Sequence, residues 1–117
     1  MSVASEHLFA TLPDPPYYVV TFSSDRTQGD HGYGAMAERM VEMARQQPGF
    51  LGIESARGAD GFGITNSYWA DEASILAWKK VVDHLAAQRL GRERWYRDYR
   101  VRIGRIERAY SMSESEF

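Results

Sequence analysis

"FLGIESARGADGFGITNSYWADEASILAW", residues 50–78, carries the pattern on which the fold turns. The runs 50–57 and 62–69 read as strands, and between them GADG at 58–61 contains Asp60-Gly61, a strong short-range hairpin signal. The second strand passes without a break into Asp71, a side chain suited to capping a helix. Ile75, Trp78, Val82 and Leu85 then recur at helical spacing. A hairpin that feeds straight into an amphipathic helix needs a sheet beneath it.

Upstream, YYVVTFSS (17–24) is aromatic and β-branched and predicts a strand. GAMAERMVEMARQQ (34–47) places Met36, Met40, Met43, Ala44 and Gln47 at steps of three and four, a helix that stops before Pro48 and Gly49. Downstream, Gly91 interrupts the second helix before a shorter helical piece, RERWYRDY, and RVRIGRIERAY (100–110) alternates as a closing strand. The order β-α-β-β-α-β predicts an α+β, ferredoxin-like sandwich, with two helices over one face of a four-stranded antiparallel sheet. It occupies residues 16–110, between an N-terminal arm (1–15) that runs into the domain through LPDPP (12–16) and an acidic tail (111–117).

Neither face of that sheet reads as polar. Tyr17, Val19 and Thr21 point one way in the first strand while Tyr18, Val20 and Phe22 point the other, and Ile64 and Tyr68 oppose Trp69 in the third. Two helices cover one face, so the expectation for the other is a second copy of the chain, a homodimer with sheets packed face to face.

Composition excludes several classes of chemistry. With 117 residues the chain is one domain, and the absence of cysteine removes disulfides, zinc-thiolate sites, iron–sulfur clusters and thiol nucleophiles. A net charge of −2 leaves no general excess of positive charge for nucleic acid. The arginines at 89, 92, 94, 97, 100 and 102 interleave with Glu93, Asp98 and Glu107, which predicts a salt-bridged, solvated face. No signal-peptide pattern or membrane-length apolar run is present, so the expected location is the cytoplasm, with no membrane partner. Phosphate-binding glycine loops, H-E-x-x-H and serine-triad signatures are also missing.

The turn Pro48-Gly49-Phe50, with the segment from Tyr68 through Trp78 running strand into helix, resembles the antibiotic biosynthesis monooxygenase (ABM) family. The likeness covers about residues 16–110 and implies a dimeric α/β barrel. It also implies a choice among cofactor-independent oxygenation of aromatic polyketides, haem degradation, small quinol oxygenation and no catalysis. In the haem-degrading branch an asparagine on the first strand, a tryptophan in the second helix and a later histidine ligand recur. Here Trp78 matches the tryptophan, but Gln88 stands where the histidine is expected, His84 comes early and VVTFSSDR has no asparagine. A second haem-contacting branch, with a WK helix and a histidine soon after, keeps haem as the alternative cofactor to none.

His84 is the histidine inside the second helix, and an imidazole there can accept a proton at neutral pH or bind iron. Trp95, Tyr96 and Tyr99, with Arg92 one turn earlier, can share a helical face. They either seal the end of the fold or form an aromatic box with a phenol and a guanidinium for a planar, oxygen-rich ligand. Trp78 packs helix on sheet or holds a ring; Phe22 is a further substrate-binding candidate, and Met40, which lines the core with Met36 and Met43, also suits an adaptable ligand cavity. Asn66, a polar amide in an apolar strand, requires a hydrogen-bond partner, which a ligand can supply. The leading expectation is a monooxygenase that oxidises a hydrophobic aromatic or enolisable molecule with O2 and no metal or flavin. His84 acts as base and Arg92 or Tyr96 as oxyanion stabiliser. The alternatives are a haem enzyme with His84 as axial ligand and a non-catalytic dimeric module that binds a small hydrophobic molecule.

Overall fold

The computed structural model describes residues 8–89 and 95–114, and of residues 86–89 the backbone alone. The elements are β1 (Tyr17–Arg26), α1 (Tyr33–Arg45), β2 (Phe50–Arg57), β3 (Phe62–Trp69), α2 (Glu72–Arg89) and β4 (Tyr96–Ile106). All strand pairs are antiparallel and the sheet order is β2-β3-β1-β4, the ferredoxin-like arrangement. A short 3-10 turn at Met112–Glu114 follows, closed by hydrogen bonds from Ser111 to the Glu114 carboxylate.

The hairpin forms at GADG: Gly58 N donates to Phe62 O, and Asp60 Oδ1 accepts from Phe62 N, the local bonding that draws Asp into turns. Asp71 caps α2 by accepting from Ser74 N at 2.8 Å, which holds its carboxyl below the usual carboxylate range. The PGF turn docks against that same helix start. Gly49 has φ 82°, its carbonyl accepts from Ala70 N at 2.8 Å, and a β-carbon there would collide with the Ser74 hydroxyl. The two sequence features that carry the family resemblance therefore touch each other.

Both helices cover the face bearing Tyr18, Val20, Phe22, Ser24 and Trp69. Ile75 and Leu85 of the α2 stripe are buried, with Trp78 and Val82 half-buried, and Ala44 is buried on α1. Trp69 has no exposed surface; it lies edge-on to Phe50 at 5.4 Å and stacks on Trp78 at 6.0 Å. The opposite, open face carries Tyr17, Val19, Thr21, Ile64, Asn66 and Tyr68. It is partly covered from within the chain: Ala10 and Leu12 of the arm lie on Gly52, where a β-carbon would meet them at 2.8 and 3.2 Å. Ala10 N donates to Glu54 Oε2, and Tyr68 OH to Glu54 Oε1.

The structure corrects one element. Of the helical piece expected at 92–99, residues 92–94 lie outside the described residues, Trp95 is helical and the chain is strand from Tyr96 onward; β4 ends at Ile106 rather than 110. Tyr96 and Tyr99 differ by an odd number, which in a regular strand puts them on opposite faces. The β1–β4 register shifts between Asp25 and Arg26, so that Asp25 pairs with Asp98 and Arg26 with Tyr96. Arg97 is the extra residue of this bulge, and both tyrosines reach the helix side. Spacing of three looked helical because a bulge restores the same outcome in a strand.

Candidate functional site

The helix side of the sheet carries aromatic groups at both ends. One is the Phe50–Trp69–Trp78 stack. The other, about 13 Å away along β1 at a strand's rise per residue, forms around Phe22. Phe22 meets Tyr96 at 5.4 Å and Tyr99 at 5.2 Å, and Tyr96 meets Tyr99 at 5.9 Å. Tyr33, the first residue of α1, closes on them at 5.8 Å from Tyr96 and 6.2 Å from Trp95. Trp95 Nε1 donates to His31 O, fixing the loop before α1. Asp30 anchors that loop by accepting from Gly32 N and Gly34 N.

Two guanidiniums flank the cluster. Arg26 Cζ stands 3.6 Å over the Tyr33 ring, while its Nε donates to Trp95 O and Nη2 to Gly29 O. Arg57 lies flat on Gly63, whose missing β-carbon makes room for it. From there it donates to Ser24 O, the buried Ser24 hydroxyl at 2.7 Å, Gly61 O and Tyr33 OH. Neither arginine has a carboxylate partner among the described residues. The pKa of the Tyr96 phenol is pushed up first by burial and then by the neighbouring Tyr33 phenol, against a smaller opposing pull from Arg57 and Arg26. Tyr96 is therefore a neutral hydrogen-bond donor at physiological pH, set in positive potential. This arrangement can orient a flat ring and stabilise negative charge on its oxygen.

Of the residues singled out from sequence, Phe22, Trp95, Tyr96 and Tyr99 meet here. Met40 sits two turns along α1 from Tyr33 on the same half-buried stripe. Arg92 lies outside the described residues. Trp78 belongs to the other end, packed on Trp69. Asn66 lies on the open face, where Thr21 Oγ1 donates to its Oδ1 at 2.8 Å; the chain itself supplies the partner. His84 is exposed on α2, and among the described residues no hydrogen bond, ion pair or ring contact joins it to the cluster. An axial haem ligand has to face a cavity, so His84 as placed does not fit a haem at this site.

Sequence reasoning missed Tyr33, Arg26, Arg57 and Ser24. The available signal was Gly63, a glycine inside a strand, which marks close approach by another group. Its cross-strand partner is Arg57, but that pairing needs the register. Among the described residues no group of three His, Asp or Glu side chains converges as a metal site, and no helix is long and apolar enough to cross a membrane.

Residues 16–90 match the family described as antibiotic biosynthesis monooxygenase. The match includes Phe22, Arg26, Tyr33 and Arg57 and stops before β4. The chain is 50% identical over 103 residues to the uncharacterized protein YqjZ of Bacillus subtilis (strain 168), covering 88% of this chain and 90% of that protein. It is 32% identical over 54 residues to the jasmonate monooxygenase ABM of Pyricularia oryzae, covering 46% of this chain but only 25% of that larger protein. The crystal structure of PA3566 from Pseudomonas aeruginosa superposes with a TM-score of 0.60 at 16% identity, over 84% of this chain and 99% of that one, a likeness of fold. With the PGF turn locked to the start of α2 and the family match spanning most of the sandwich, the chain belongs to the antibiotic biosynthesis monooxygenase family.

Proposed function

We propose that the protein is a monooxygenase for a planar phenolic or enolisable small molecule, bound at the Phe22–Tyr33–Tyr96–Tyr99 end of the sheet and oxidised by O2 without metal or flavin. The observation that carries this reading is the Tyr33–Tyr96 ring pair, 5.8 Å apart, held beside two arginines that have no carboxylate partner among the described residues. A substrate CH2 beside a phenol or carbonyl loses a proton to water, leaving an anion whose oxygen the phenols and guanidiniums stabilise. The anion gives one electron to O2, and the substrate radical and superoxide join in a C–O bond. The peroxide takes up a proton, and loss of water from it leaves the ketone. The sum is CH2 + O2 → C=O + H2O, with every electron supplied by the substrate. Phe22 and Tyr99 hold the ring plane. The exposed position of His84 moves the base role away from it.

Oxygen uptake with a panel of polycyclic phenols and quinols tests this reading. Turnover is expected in wild type and in His84→Ala, and a fall of about tenfold or more in Tyr96→Phe, the scale of one lost oxyanion donor. No uptake and no binding across the panel would overturn it.

A face-to-face homodimer completes the proposal. Phe62 and Ile64 on the open face are 51% and 42% exposed, and Leu8 and Phe9 at the arm are 65% and 70% exposed, apolar surface that a second sheet would cover. Light scattering should give the dimer mass for wild type and the monomer mass for Ile64→Glu.

A further inference from the structure

Arg57 and Arg26 differ in what they have left to offer. Arg57 spends all four N–H groups of Nη1 and Nη2 on Ser24 O, Ser24 Oγ, Gly61 O and Tyr33 OH. It is a fixed charge with a fixed geometry. Arg26 commits Nε to Trp95 O and one N–H of Nη2 to Gly29 O, which leaves both N–H groups of Nη1 and the second of Nη2 without an acceptor among the described residues. Its guanidinium plane is set by stacking on Tyr33 at 3.6 Å, and the bulge that opposes Arg26 to Tyr96 aims it at the cluster. The acidic groups nearest in sequence are engaged elsewhere: Asp30 with the Gly32 and Gly34 amides, Asp25 with Arg97 at 3.8 Å.

A half-buried guanidinium that is oriented and, among the described residues, lacks a carboxylate and keeps a free edge beside an aromatic wall matches the geometry of a carboxylate fork. We propose that Arg26 anchors a carboxylate on the ligand, so that the molecule taken by the Phe22–Tyr33–Tyr96–Tyr99 cluster is a planar hydrophobic acid. This rests on the cluster being the substrate site, and adds the chemical class of the substrate. The ring lies against Phe22 and Tyr99, and the acid group meets the free Nη1 edge of Arg26. Arg57, with no donor of Nη1 or Nη2 to spare, adds field without contact.

The test is calorimetric titration of the full-length protein with 2-naphthoic acid and with its neutral isostere 2-naphthamide, at pH 7. Wild type is expected to bind the acid at least about tenfold more tightly, the discrimination of one charge-assisted fork. In Arg26→Gln that preference disappears while the amide still binds. Arg26→Lys, which keeps the charge and loses the fork, retains part of it. Equal affinity of wild type for acid and amide, or a preference that survives in Arg26→Gln, overturns the inference and leaves the cluster standing as a ring site. Failure of wild type to bind either compound overturns both the inference and the site. The wild-type comparison decides the matter even if the Arg26 variants fold poorly.

Discussion

Replacing Gly63 by alanine should unsettle the cluster while leaving every one of its polar side chains unsubstituted. The new β-carbon would stand 2.7 Å from Arg57 Cζ, 2.9 Å from Nη1 and 3.0 Å from Ala56 O, inside contact distance for all three. A guanidinium is the mobile end of a side chain and can leave, so its part of the collision costs little, while the Ala56 carbonyl has to give by a few tenths of an ångström. Leaving takes the 2.7 Å bond from the Ser24 hydroxyl, which is 1% exposed and has no alternative donor among the described residues. A hydrogen bond to a charged donor contributes about 1.5–3 kcal/mol. Alanine recovers about 0.5–1 kcal/mol over glycine within a strand. The net expectation is a loss of about 1–2 kcal/mol, a urea midpoint lower by about 1 M at an m-value of about 1.5 kcal/mol/M. Since the larger cost runs through Arg57, Gly63→Ala should cost clearly less in an Arg57→Met background than in wild type. The double-mutant cycle should show coupling of about 1 kcal/mol or more. Additive effects, within about 0.3 kcal/mol, would refute the claim that glycine at 63 exists to seat the guanidinium.

Trp69→Ala empties the centre of the Phe50–Trp69–Trp78 stack and leaves Ser67 Oγ without its indole donor, so a loss of about 3–5 kcal/mol is expected by chemical denaturation. Tyr68, with its pKa pushed up to about 12 by burial and then by its bond to Glu54, should make stability fall as pH rises from about 10 to about 12. Its folded-state proton is held more tightly than the unfolded one, so that stability is complete below about 10 and lost through 12; Tyr68→Phe should flatten this slope in alkaline unfolding curves. Glu54→Ala removes the acceptor shared by Tyr68 and the Ala10 amide. Limited proteolysis should then cut between residues 8 and 16 several-fold faster than in wild type.

The fold was legible because its signals are local. Asp60-Gly61 specifies the hairpin, Asp71 the helix start, and Ile75, Trp78, Val82 and Leu85 the buried stripe. The departure from helix at 96–99 came from a bulge, which alters parity through a contact between distant strands and leaves no mark on the residues it shifts. The candidate site was half legible for a related reason. Trp95, Tyr96 and Tyr99 announce themselves as neighbouring rings, whereas Arg26, Tyr33 and Arg57 come together only once three elements and a register are known. Asn66 was identified as needing a partner, and Thr21 across the strand pair is that partner, a pairing that periodicity alone does not reveal. The arm's seat on Gly52 was likewise out of reach, since nothing near residues 10–12 points to a glycine forty positions away.

The three tryptophans divide the molecule into two spectroscopic compartments. Trp69 and Trp78, stacked 29° from parallel at 6.0 Å, are close enough for their excited states to couple, and the resulting circular dichroism couplet reports the integrity of the helix–sheet packing. Trp95 stands apart at the other end, edge-on to Tyr33 and hydrogen-bonded to the loop before α1, so its emission answers to events at the cluster. A single unlabelled sample can therefore show ligand engagement through one indole while the other two testify that the scaffold has not changed.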